Sequence, residues 1–475
     1  MAARPLEALS SRLALGTSWI LRNPNNSSSL PRLRSNFNSL VICCAQSKPE
    51  KLLVVVGGGA AGVFGAIRAK DVAPHLRVVV IEKGKLLSKV KVSGGGRCNV
   101  TNGHHVDGRI LAEHYPRGHK ELKGSFFKMH GPLDTMSWFN DHGVQLKIED
   151  DGRVFPVSDS SSTIVNCLLD QARRSGVELQ TGKVLMHASR SVSGRFALSI
   201  QKVKMATVET VESDYLLIAT GSSRQGFDIA AQLGHSIVQP MPSLFTFKIE
   251  DKHLLDLAGV TFPKVKATLT IQNVRNIPQF VQVGPMLVTH WGLSGPVILR
   301  LSAWGARDLF GSNYKGILLV DFVPDCHMDD VISILTKHKS QFAKQKVLNS
   351  CPMQLSLVKR FWKYLLEREG VNEDVLWASV SKTSLSSIAL LMKQCSFSIV
   401  GKGQFKDEFV TAGGVPFTEI TLSTMESRKE PGLFFAGEVL NVDGVTGGFN
   451  FQNAWSGAYI AGTRIGEVAL GVACD

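Results

Sequence analysis

The stretch Lys51-Leu-Leu-Val-Val-Val56, followed at once by Gly57-Gly-Gly-Ala-Ala-Gly62, decides the fold of this 475-residue chain. The first six residues have the apolar, β-branched character of a strand that is buried in a parallel sheet. The small residues of segment 60–70 predict a helix, and a second apolar run over 77–81 ends at Glu82, 20 residues after Gly62. The order of strand, glycine loop, helix, strand and acid predicts a Rossmann-type dinucleotide site.

Each of three glycines in this loop has a mechanical role. Gly57 permits a tight turn, Gly59 lets the backbone approach a pyrophosphate, and Gly62 lets the helix lie close to the strand. The N-terminus of the helix offers unpaired N–H groups to the phosphates. Glu82 has the position to accept both hydroxyls of an adenosine ribose. The alternative is a purely structural glycine turn, which does not require the flanking strands and acid.

Two later segments indicate that the dinucleotide is FAD. Tyr215-Leu-Leu-Ile-Ala-Thr-Gly221 is a predicted strand that ends in an Ala-Thr-Gly turn, and Gly432-Leu-Phe-Phe-Ala-Gly-Glu438 continues through Gly444. The second segment is typical of a C-terminal flavin motif, in which Asp443 is directed toward the ribityl chain and the next helix begins at the flavin. No second G-x-G-x-x-G follows a strand, so we expect NAD(P)H, as a transient donor, to dock directly over the flavin.

Composition excludes several classes of protein. Hydrophobic residues make up 44% and charged residues 20% of the chain, which is the ordinary range of a globular protein. No stretch approaches the ~20 consecutive apolar residues of a spanning helix, so no membrane association is expected. The 8 cysteines have neither C-x-x-C nor metal-ligand spacing, which argues against a zinc site and a disulfide framework.

Residues 1–45 have the composition of a transit peptide. They carry five Arg and eight Ser, and Glu7 is their one acid. Val41-Ile-Cys-Cys-Ala45 is similar to a stromal processing site, and together with the serines it favours the chloroplast stroma over the mitochondrion. A disordered tail of the mature protein is the alternative interpretation of this segment.

Six motifs, in the same order along residues 51–466, resemble those of the BaiN/RdsA-type NAD(P)/FAD-dependent oxidoreductases. The hallmark loop is Ser93-Gly-Gly-Gly-Arg-Cys-Asn-Val-Thr-Asn102. The others are Glu149-Asp-Asp-Gly-Arg-Val-Phe-Pro156, Thr289-His-Trp-Gly-Leu-Ser-Gly-Pro296, Val410-Thr-Ala-Gly-Gly-Val415, Gly437-Glu-Val-Leu-Asn-Val-Asp-Gly444 and Thr446-Gly-Gly-Phe-Asn-Phe-Gln452.

The resemblance implies an α/β fold, in which a discontinuous, Rossmann-type two-dinucleotide-binding FAD domain is interrupted by an inserted α+β substrate domain. We predict a transit peptide over 1–45, FAD-binding parts over 46–240 and 405–475, and the insert over 241–404. Bacterial members are flavin reductases of carbon–carbon double bonds, in one branch of bile acids and in another of uridine in large-subunit ribosomal RNA. This chain is similar to an organelle-targeted, plant-like member, and the bacterial-type ribosomes of organelles favour the RNA branch.

Two residues are candidates for the general acid that such a reduction needs opposite the flavin. Cys98 has a thiol suited to that task, although packing of the glycine loop is the weightier interpretation, since free cysteine is often buried. His290 lies in a glycine-flanked loop and is the second candidate, with a hydrogen-bonded structural role as its alternative. Arg97 is expected to neutralise pyrophosphate or reduced flavin, or else to form an ordinary surface ion pair.

The remaining site residues follow from the nucleotide motifs and from the resemblance. Thr411, Gly413, Gly414 and Asn450 are expected at the flavin edge, with turn formation as the alternative, and Val184 is expected to touch adenine through its backbone. No metal ligand is predicted. The full predicted cofactor set is Gly57, Gly59, Ala60, Ala61, Gly62, Glu82, Lys83, Gly95, Gly96, Arg97, Asn99, Thr101, Asn102, Val184, Thr220, Gly221, Thr411, Gly413, Gly414, Gly437, Glu438, Asp443, Gly448, Asn450 and Phe451.

The insert contains a basic stretch with interleaved aromatic residues. Basic groups contact phosphates and aromatic rings stack on bases, so the stretch suggests a structured RNA partner, and a solvated helix face is the plainer alternative. Three functions remain open: reduction of organelle rRNA uridine, reduction of a small α,β-unsaturated metabolite, and an RNA-binding or ribosome-assembly role with a structural flavin. The stretch comprises Lys337, Lys339, Phe342, Lys344, Lys346, Lys359, Arg360, Phe361, Trp362 and Lys363.

Overall fold

The structure, a computed structural model, describes residues 50–205, 207–372, 374–403 and 410–472. The predicted transit peptide lies outside these ranges. Among the described helices, none combines the length and apolar character needed to cross a membrane.

The strands are, in chain order, β1 Leu52–Val56, β2 Arg77–Glu82, β3 Thr101–Asn102, β4 Leu146–Ile148, β5 Arg153–Pro156, β6 Glu178–Thr181, β7 Lys183–Arg190, β8 Phe196–Lys202, β9 Val208–Ser213, β10 Tyr215–Ile218, β11 Val238–Ser243, β12 Phe247–Ile249, β13 Thr261–Thr270, β14 Val281–Thr289, β15 Gly292–Ser294, β16 Gly316–Asp321, β17 Cys395–Lys402, β18 Val410–Gly414, β19 Ile420–Thr421, β20 Glu426–Ser427 and β21 Leu433–Phe435. The helices are α1 Ala60–Val72, α2 Ser88–Gly96, α3 Gly108–Ala112, α4 His119–Leu122, α5 Phe126–Met129, α6 Pro132–Asp141, α7 Ser161–Arg174, α8 Arg224–Gln232, α9 Lys252–Leu255, α10 Pro296–Trp304, α11 Ala306–Gly311, α12 Met328–Gln341, α13 Lys359–Arg368, α14 Lys382–Lys393 and α15 Phe449–Leu470.

A seven-stranded sheet forms the core of the nucleotide-binding part, with strand order β19-β20-β21-β10-β1-β2-β6. Strands β6, β2, β1, β10 and β21 run parallel. All five residues of β1 are buried, as expected for a strand with a parallel neighbour on either side and helices on its faces. The predicted Rossmann-type α/β class is confirmed.

Helices α1 and α15 pack closely together on this sheet because small residues line their contact. A Cβ atom at Gly462 would lie 2.5 Å from the carbonyl oxygen of Gly65, and one at Gly466 would lie 2.5 Å from Cβ of Val72. This contact joins the first helix after the glycine loop to the last helix of the chain. The N-terminal ends of both helices are thereby brought to one cavity.

The segment between β11 and β18 builds a second hydrophobic core around a closed barrel, with strand order β12-β15-β14-β13-β16-β17. Helices α12, α13 and α14 contribute buried residues to this core. Strand β11 leads into the segment and β18 follows it, and the two strands pair antiparallel. This α+β segment falls within the predicted insert, whose exact boundaries stay a prediction.

The buried ring of His130 predicts that the protein loses stability in acid. His130 is 3% exposed and stacks on Tyr459 with 4.4 Å between ring centroids, and burial lowers its pKa from 6.5 to about 4. Above pH 6.5 the ring is neutral in both states, whereas below it only the unfolded chain takes up the proton. Unfolding free energy therefore falls from pH 6.5 toward 4, by up to roughly 3 kcal/mol for this residue.

Urea unfolding of the unchanged protein and of His130→Phe, at pH 7 and at pH 4.5, measures this dependence. The variant should lose less stability over that pH interval. An equal loss in the two proteins would contradict the assignment to His130.

Candidate functional site

One cavity of about 990 Å³ connects the nucleotide loop with the barrel segment. This volume lies at the upper end of the ~300–1,000 Å³ usual for cofactor and ligand sites. The carboxyl ends of β1, β2 and β10, the N-termini of α1 and α15, and one face of α10 enclose it. Such a crevice beyond the carboxyl ends of parallel strands is where doubly wound folds bind their ligands.

The glycine loop has the geometry that its sequence predicts. Gly57 has φ +106°, and a Cβ atom there would lie 2.5 Å from the carbonyl oxygen of Ala219. A Cβ atom at Gly62 would lie 1.8 Å from the carbonyl oxygen of Gly57, whereas one at Gly59 would have no atom within 4 Å. Gly62 is therefore required by packing, and Gly59 leaves an open backbone surface on the cavity.

Glu82 lies at the far end of this cavity, where β2 ends. Its carboxylate accepts hydrogen bonds from the backbone N–H groups of Gly58 and Gly84, both at 2.7 Å. These bonds fix the carboxylate beside the loop while it still lines the cavity. The position is suited to a ribose diol, because a carboxylate accepts from both hydroxyls.

Helix α15 points its N-terminus into the opposite end of the cavity. Gly448 precedes it with φ +95°, and a Cβ atom there would lie 2.3 Å from the carbonyl oxygen of Thr101. The side chain of Asn450 donates to the carbonyl of Gly444 at 2.8 Å and accepts from its N–H at 2.7 Å, which fixes the turn. Neither α1 nor α15 has a side-chain cap or an acid in its first turn, so both present uncompensated N–H groups to the cavity.

The residues fit FAD, and the open backbone at Gly59 supports the fit. A Cβ atom at Gly59 would meet no protein atom within 4 Å, so the backbone there leaves room for a diphosphate to approach. With the acid at β2, two helix N-termini and the open Gly59 backbone, the cavity supplies what a diphosphate-linked dinucleotide requires.

A family comparison agrees with this geometry. Residues 51–464 match the model described as the HI0933-like protein Rossmann domain. The chain belongs to the HI0933-like family. Its fold is accordingly that of a Rossmann-type FAD-binding protein, and the chain is an FAD-dependent oxidoreductase.

Characterised proteins similar to this HI0933-like chain include two kinds of enzyme. A "Ribosomal RNA dihydrouridine synthase" of Escherichia coli (strain K12) is 30% identical over 416 residues, covering 84% of this chain and 94% of the relative. The protein of that name from Haemophilus influenzae is 27% identical, with 86% and 96% covered. A "3-dehydro-bile acid delta(4,6)-reductase" of Clostridium scindens is 27% identical over 427 residues, covering 86% and 97%.

The structure brings many of the predicted residues of this HI0933-like chain to the cavity. Those that line it are Gly57, Gly59, Ala60, Ala61, Glu82, Asn99, Asn102, Thr220, Gly221, Gly437, Glu438, Gly448, Asn450 and Phe451. Those that do not line it are Gly62, Lys83, Gly95, Gly96, Arg97, Thr101, Val184, Thr411, Gly413, Gly414 and Asp443. Contact of any of them with the cofactor stays a prediction.

Asp443, which we expected to be directed toward the ribityl chain, does not line the described cavity. Asp443 is fully buried, forms an ion pair with Arg117, and accepts from the hydroxyl of Ser243 at 2.6 Å. The acid of this motif that lines the cavity is Glu438, which lies 3.7 Å from Nζ of Lys89. Burial raises the pKa of Glu438, and the charge of Lys89 opposes that rise.

Gly413 and Gly414 lie in the two-stranded sheet of β11 and β18 rather than at the cavity. Both are buried in β18, where a Cβ atom would lie 2.6 Å from the carbonyl oxygen of Gln239 and 2.4 Å from that of Val439, respectively. Thr411 is buried in the same strand. These glycines therefore lie neither at the described cavity lining nor in the turn that was the alternative.

The burial of Cys98 favours the packing interpretation over the general-acid interpretation. Its side chain is fully buried with φ +63°, and it does not belong to the described cavity lining. Burial raises the pKa of the thiol to about 12, against a hydrogen bond with Ser93 that lowers it. A general acid has to reach a substrate atom, so packing of the loop is the role that the structure supports.

His290 and Arg97 also lie away from the described lining. His290 is exposed on the turn between β14 and β15. Arg97 donates to Glu149 at 2.6 Å and lies over the ring of Phe155 at 3.9 Å, so the ion-pair alternative holds for it. Arg97 thus supports Phe155, which does line the cavity.

Sequence reasoning missed the face of α10 that lines the barrel side of the cavity and several polar residues elsewhere in the lining. Pro296, Leu299, Arg300 and Trp304 line it from α10, with the spacing of one helix face. A single arginine in an otherwise apolar helix was the signal that would have found Arg300. The other missed polar lining residues are Lys85, Ser88, Lys89, His105, Glu113, His114, Asp151, Arg153, Gln279 and Gln282.

The basic stretch does not present its aromatic rings for base stacking. Phe361 and Trp362 are fully buried in the barrel core, and the indole N–H of Trp362 donates to the carbonyl of Val347 at 2.8 Å. Several cations already have partners, for example Lys346 with Asp374 at 2.6 Å. The solvated-face alternative describes this stretch, while RNA contact through its remaining charge is left as a prediction.

Replacement of Cys98 by alanine is expected to leave reductase turnover and bound flavin intact, at a cost of about 1 kcal/mol in unfolding free energy. The physical reason is that the thiol packs the loop and has no path to the cavity. Turnover and thermal unfolding of Cys98→Ala are compared with Cys167→Ala, a partly buried cysteine outside the cavity. A fall of about 10²-fold or more with flavin retained would restore the acid role.

Proposed function

We propose that this chain is an NAD(P)H-driven, FAD-dependent reductase of a carbon–carbon double bond, with uridine in organelle large-subunit ribosomal RNA as its substrate. The observation that carries the proposal is the continuous cavity from the glycine loop to α10, in a chain 30% identical to a ribosomal RNA dihydrouridine synthase over 84% of its length. The product of such a reaction is dihydrouridine.

The bound flavin supplies the hydride for the reduction. The chain's own residues bind the cofactor and orient it. Glu82 and the N-terminus of α1 would hold the nucleotide half of FAD, and the N-terminus of α15 would lie at its reacting end. The ring of Phe449 and the face of α10 bound the remaining space, into which a planar base or ring can enter.

Mass spectrometry of organelle large-subunit rRNA tests the RNA substrate directly. A strain lacking this protein should lose dihydrouridine at one or more positions, and the unchanged gene should restore it. A gene that encodes Gly59→Val, which fills the open backbone surface at the cavity, is the matched control that should fail to restore it. Unchanged dihydrouridine content in the deletion strain would refute this substrate.

A small α,β-unsaturated metabolite is the second candidate substrate. The 27% identity to a 3-dehydro-bile acid delta(4,6)-reductase favours it, as does the burial of Phe361 and Trp362, which leaves neither ring exposed for base stacking. Binding of structured rRNA fragments at increasing salt separates the two candidates, because phosphate contacts weaken steeply as salt rises. Absence of binding at low salt would favour the metabolite.

The electron donor and the compartment belong to the same proposal. Anaerobic bleaching of the flavin by NADPH or NADH would identify the donor, whereas a flavin that neither nucleotide reduces would favour the RNA-binding role with a structural flavin.

We place the protein in the chloroplast stroma, with the mitochondrion as alternative. A fluorescent fusion of residues 1–60 that stays in the cytosol would refute both compartments.

A further inference from the structure

Arg300 is a cation at the cavity that has no carboxylate partner. It lies on the cavity face of α10, partly buried, and its one described hydrogen bond is to the carbonyl of Val283 at 3.4 Å. No described carboxylate lies within 4.0 Å of it. Arg153, which lines the same cavity, is instead paired with Glu149 at 3.0 Å and with Asp151 at 2.7 Å.

A partly buried charge without a close partner is unfavourable. Burial lowers the pKa of Arg300, the charge of Asp151 opposes that effect, and the charge of Arg153 adds to it. A guanidinium stays protonated in proteins, so an electron-rich ligand atom would add to the compensation that Asp151 provides. A cation held in this way inside a cavity is typical of a site whose partner is the ligand.

A cluster of three rings lines the same cavity. His114 stacks on Phe449, the first residue of α15, with 4.4 Å between centroids and 9° between planes, and the ring of His105 lies 4.2 Å from that of His114 and 5.9 Å from that of Phe449. Burial, followed by the charges of His105 and Arg300, lowers the pKa of His114 to about 4. The imidazole is therefore neutral at pH 7 and adds a hydrogen-bond donor without a second charge.

We propose that Arg300 binds the carbonyl oxygen that is conjugated with the double bond being reduced, with His114 as the neutral donor beside it. The inference rests on the proposed reductase function and deepens it, because it names the substrate class as α,β-unsaturated carbonyl compounds. A uracil ring and a small enone share that group. Discrimination between a uracil ring and a small enone depends on residues outside this subsite.

A guanidinium beside the carbonyl oxygen is suited to the reduction of the conjugated double bond. A hydride adds to the β carbon, the π bond breaks, and its electron pair moves through the α carbon to the carbonyl oxygen as an enolate. Protonation of the α carbon by water or an acid then returns the electrons and restores the carbonyl. Arg300 stabilises the charge that develops on oxygen, where removal of one such donor typically costs about 10²–10³-fold in rate.

Two measurements on the FAD-bound protein test the assignment. In the first, protein reduced with dithionite under anaerobic conditions is mixed with cyclohex-2-enone, and the rate of flavin reoxidation is followed. Arg300→Gln should be slower by about 10²–10³-fold, and Arg300→Lys, which keeps the charge, should lie between. Arg224→Gln, whose side chain is 93% exposed on α8, should match the unchanged protein.

The second measurement is binding of 4-nitrophenol, whose coloured anion resembles an enolate. The unchanged protein should bind the anion in preference to the neutral phenol, and Arg300→Gln should bind it roughly tenfold or more weakly. Flavin absorbance and thermal unfolding show whether each variant is folded. If Arg300→Gln does not fold, Arg300→Lys replaces it in both measurements.

The outcomes separate this inference from the function on which it rests. If the unchanged protein is reoxidised by cyclohex-2-enone and Arg300→Gln is equally fast and binds 4-nitrophenolate equally well, the role of Arg300 is refuted and the reductase function stands. If neither cyclohex-2-enone nor rRNA reoxidises the unchanged protein, the proposed function is refuted. In that case the nitrophenol measurement alone decides whether Arg300 binds oxyanions.

Discussion

Replacement of Gly62 by alanine is expected to abolish FAD retention and to destabilise the protein even without cofactor. The added Cβ atom would lie 1.8 Å from the carbonyl oxygen of Gly57, a distance that no side-chain rotation relieves because both atoms are fixed to backbone. Helix α1 would have to move away from β1, and the loop between them would lose its shape. We expect a colourless, largely insoluble protein, measured by flavin absorbance and yield.

The matched control is Gly59→Ala in the same loop. Its Cβ atom would meet no protein atom within 4 Å and would project at the cavity. The cofactor-free protein should therefore unfold as the unchanged one does, while FAD affinity falls because the backbone no longer approaches the diphosphate as closely. If Gly62→Ala bound FAD normally, or if both variants behaved alike, the account of this loop would be wrong.

Replacement of Arg117 by methionine is expected to cost about 3–5 kcal/mol in unfolding free energy, because it leaves the fully buried carboxylate of Asp443 without its countercharge. Arg117 also donates to the carbonyl of Ala303 at 2.8 Å and to the hydroxyl of Ser243 at 3.2 Å. It thus ties α10, β11 and the segment before α15 together. Urea unfolding of the cofactor-free protein measures the loss.

An exposed ion pair supplies the comparison. Arg77 and Glu178 lie 2.8 Å apart with side chains 50% and 41% exposed, so Arg77→Met should cost no more than about 1 kcal/mol. The double variant Arg117→Met with Asp443→Leu should recover part of the stability, since it removes the stranded charge. Equal losses for Arg117→Met and Arg77→Met would contradict the importance assigned to the buried pair.

The nucleotide half of the site was predictable because local sequence determines it. Gly57, Gly59 and Gly62 act through backbone conformation and close approach within a few residues of each other, and Glu82 follows from the length of one helix and one strand. The strand, loop and helix accordingly lie where the sequence places them.

The substrate half was not predictable in this way, because it forms between distant segments. Arg300 lies on a helix of the barrel segment and meets His114 and Phe449 only after folding. Cys98 and Asp443 carry attractive chemistry in sequence, but their burial depends on neighbours such as Arg117 that no local pattern connects with them. A reactive side-chain type in the sequence therefore did not indicate whether that side chain reaches the cavity.

The most direct test of the central claim is the absorption spectrum of the protein made without residues 1–45. We expect a yellow protein with one FAD per chain. NADPH or NADH should bleach the flavin absorbance under anaerobic conditions, and an unsaturated carbonyl compound should then restore it. A colourless protein that also fails to take up added FAD would contradict the claim that the cavity between the glycine loop and α15 is a flavin site.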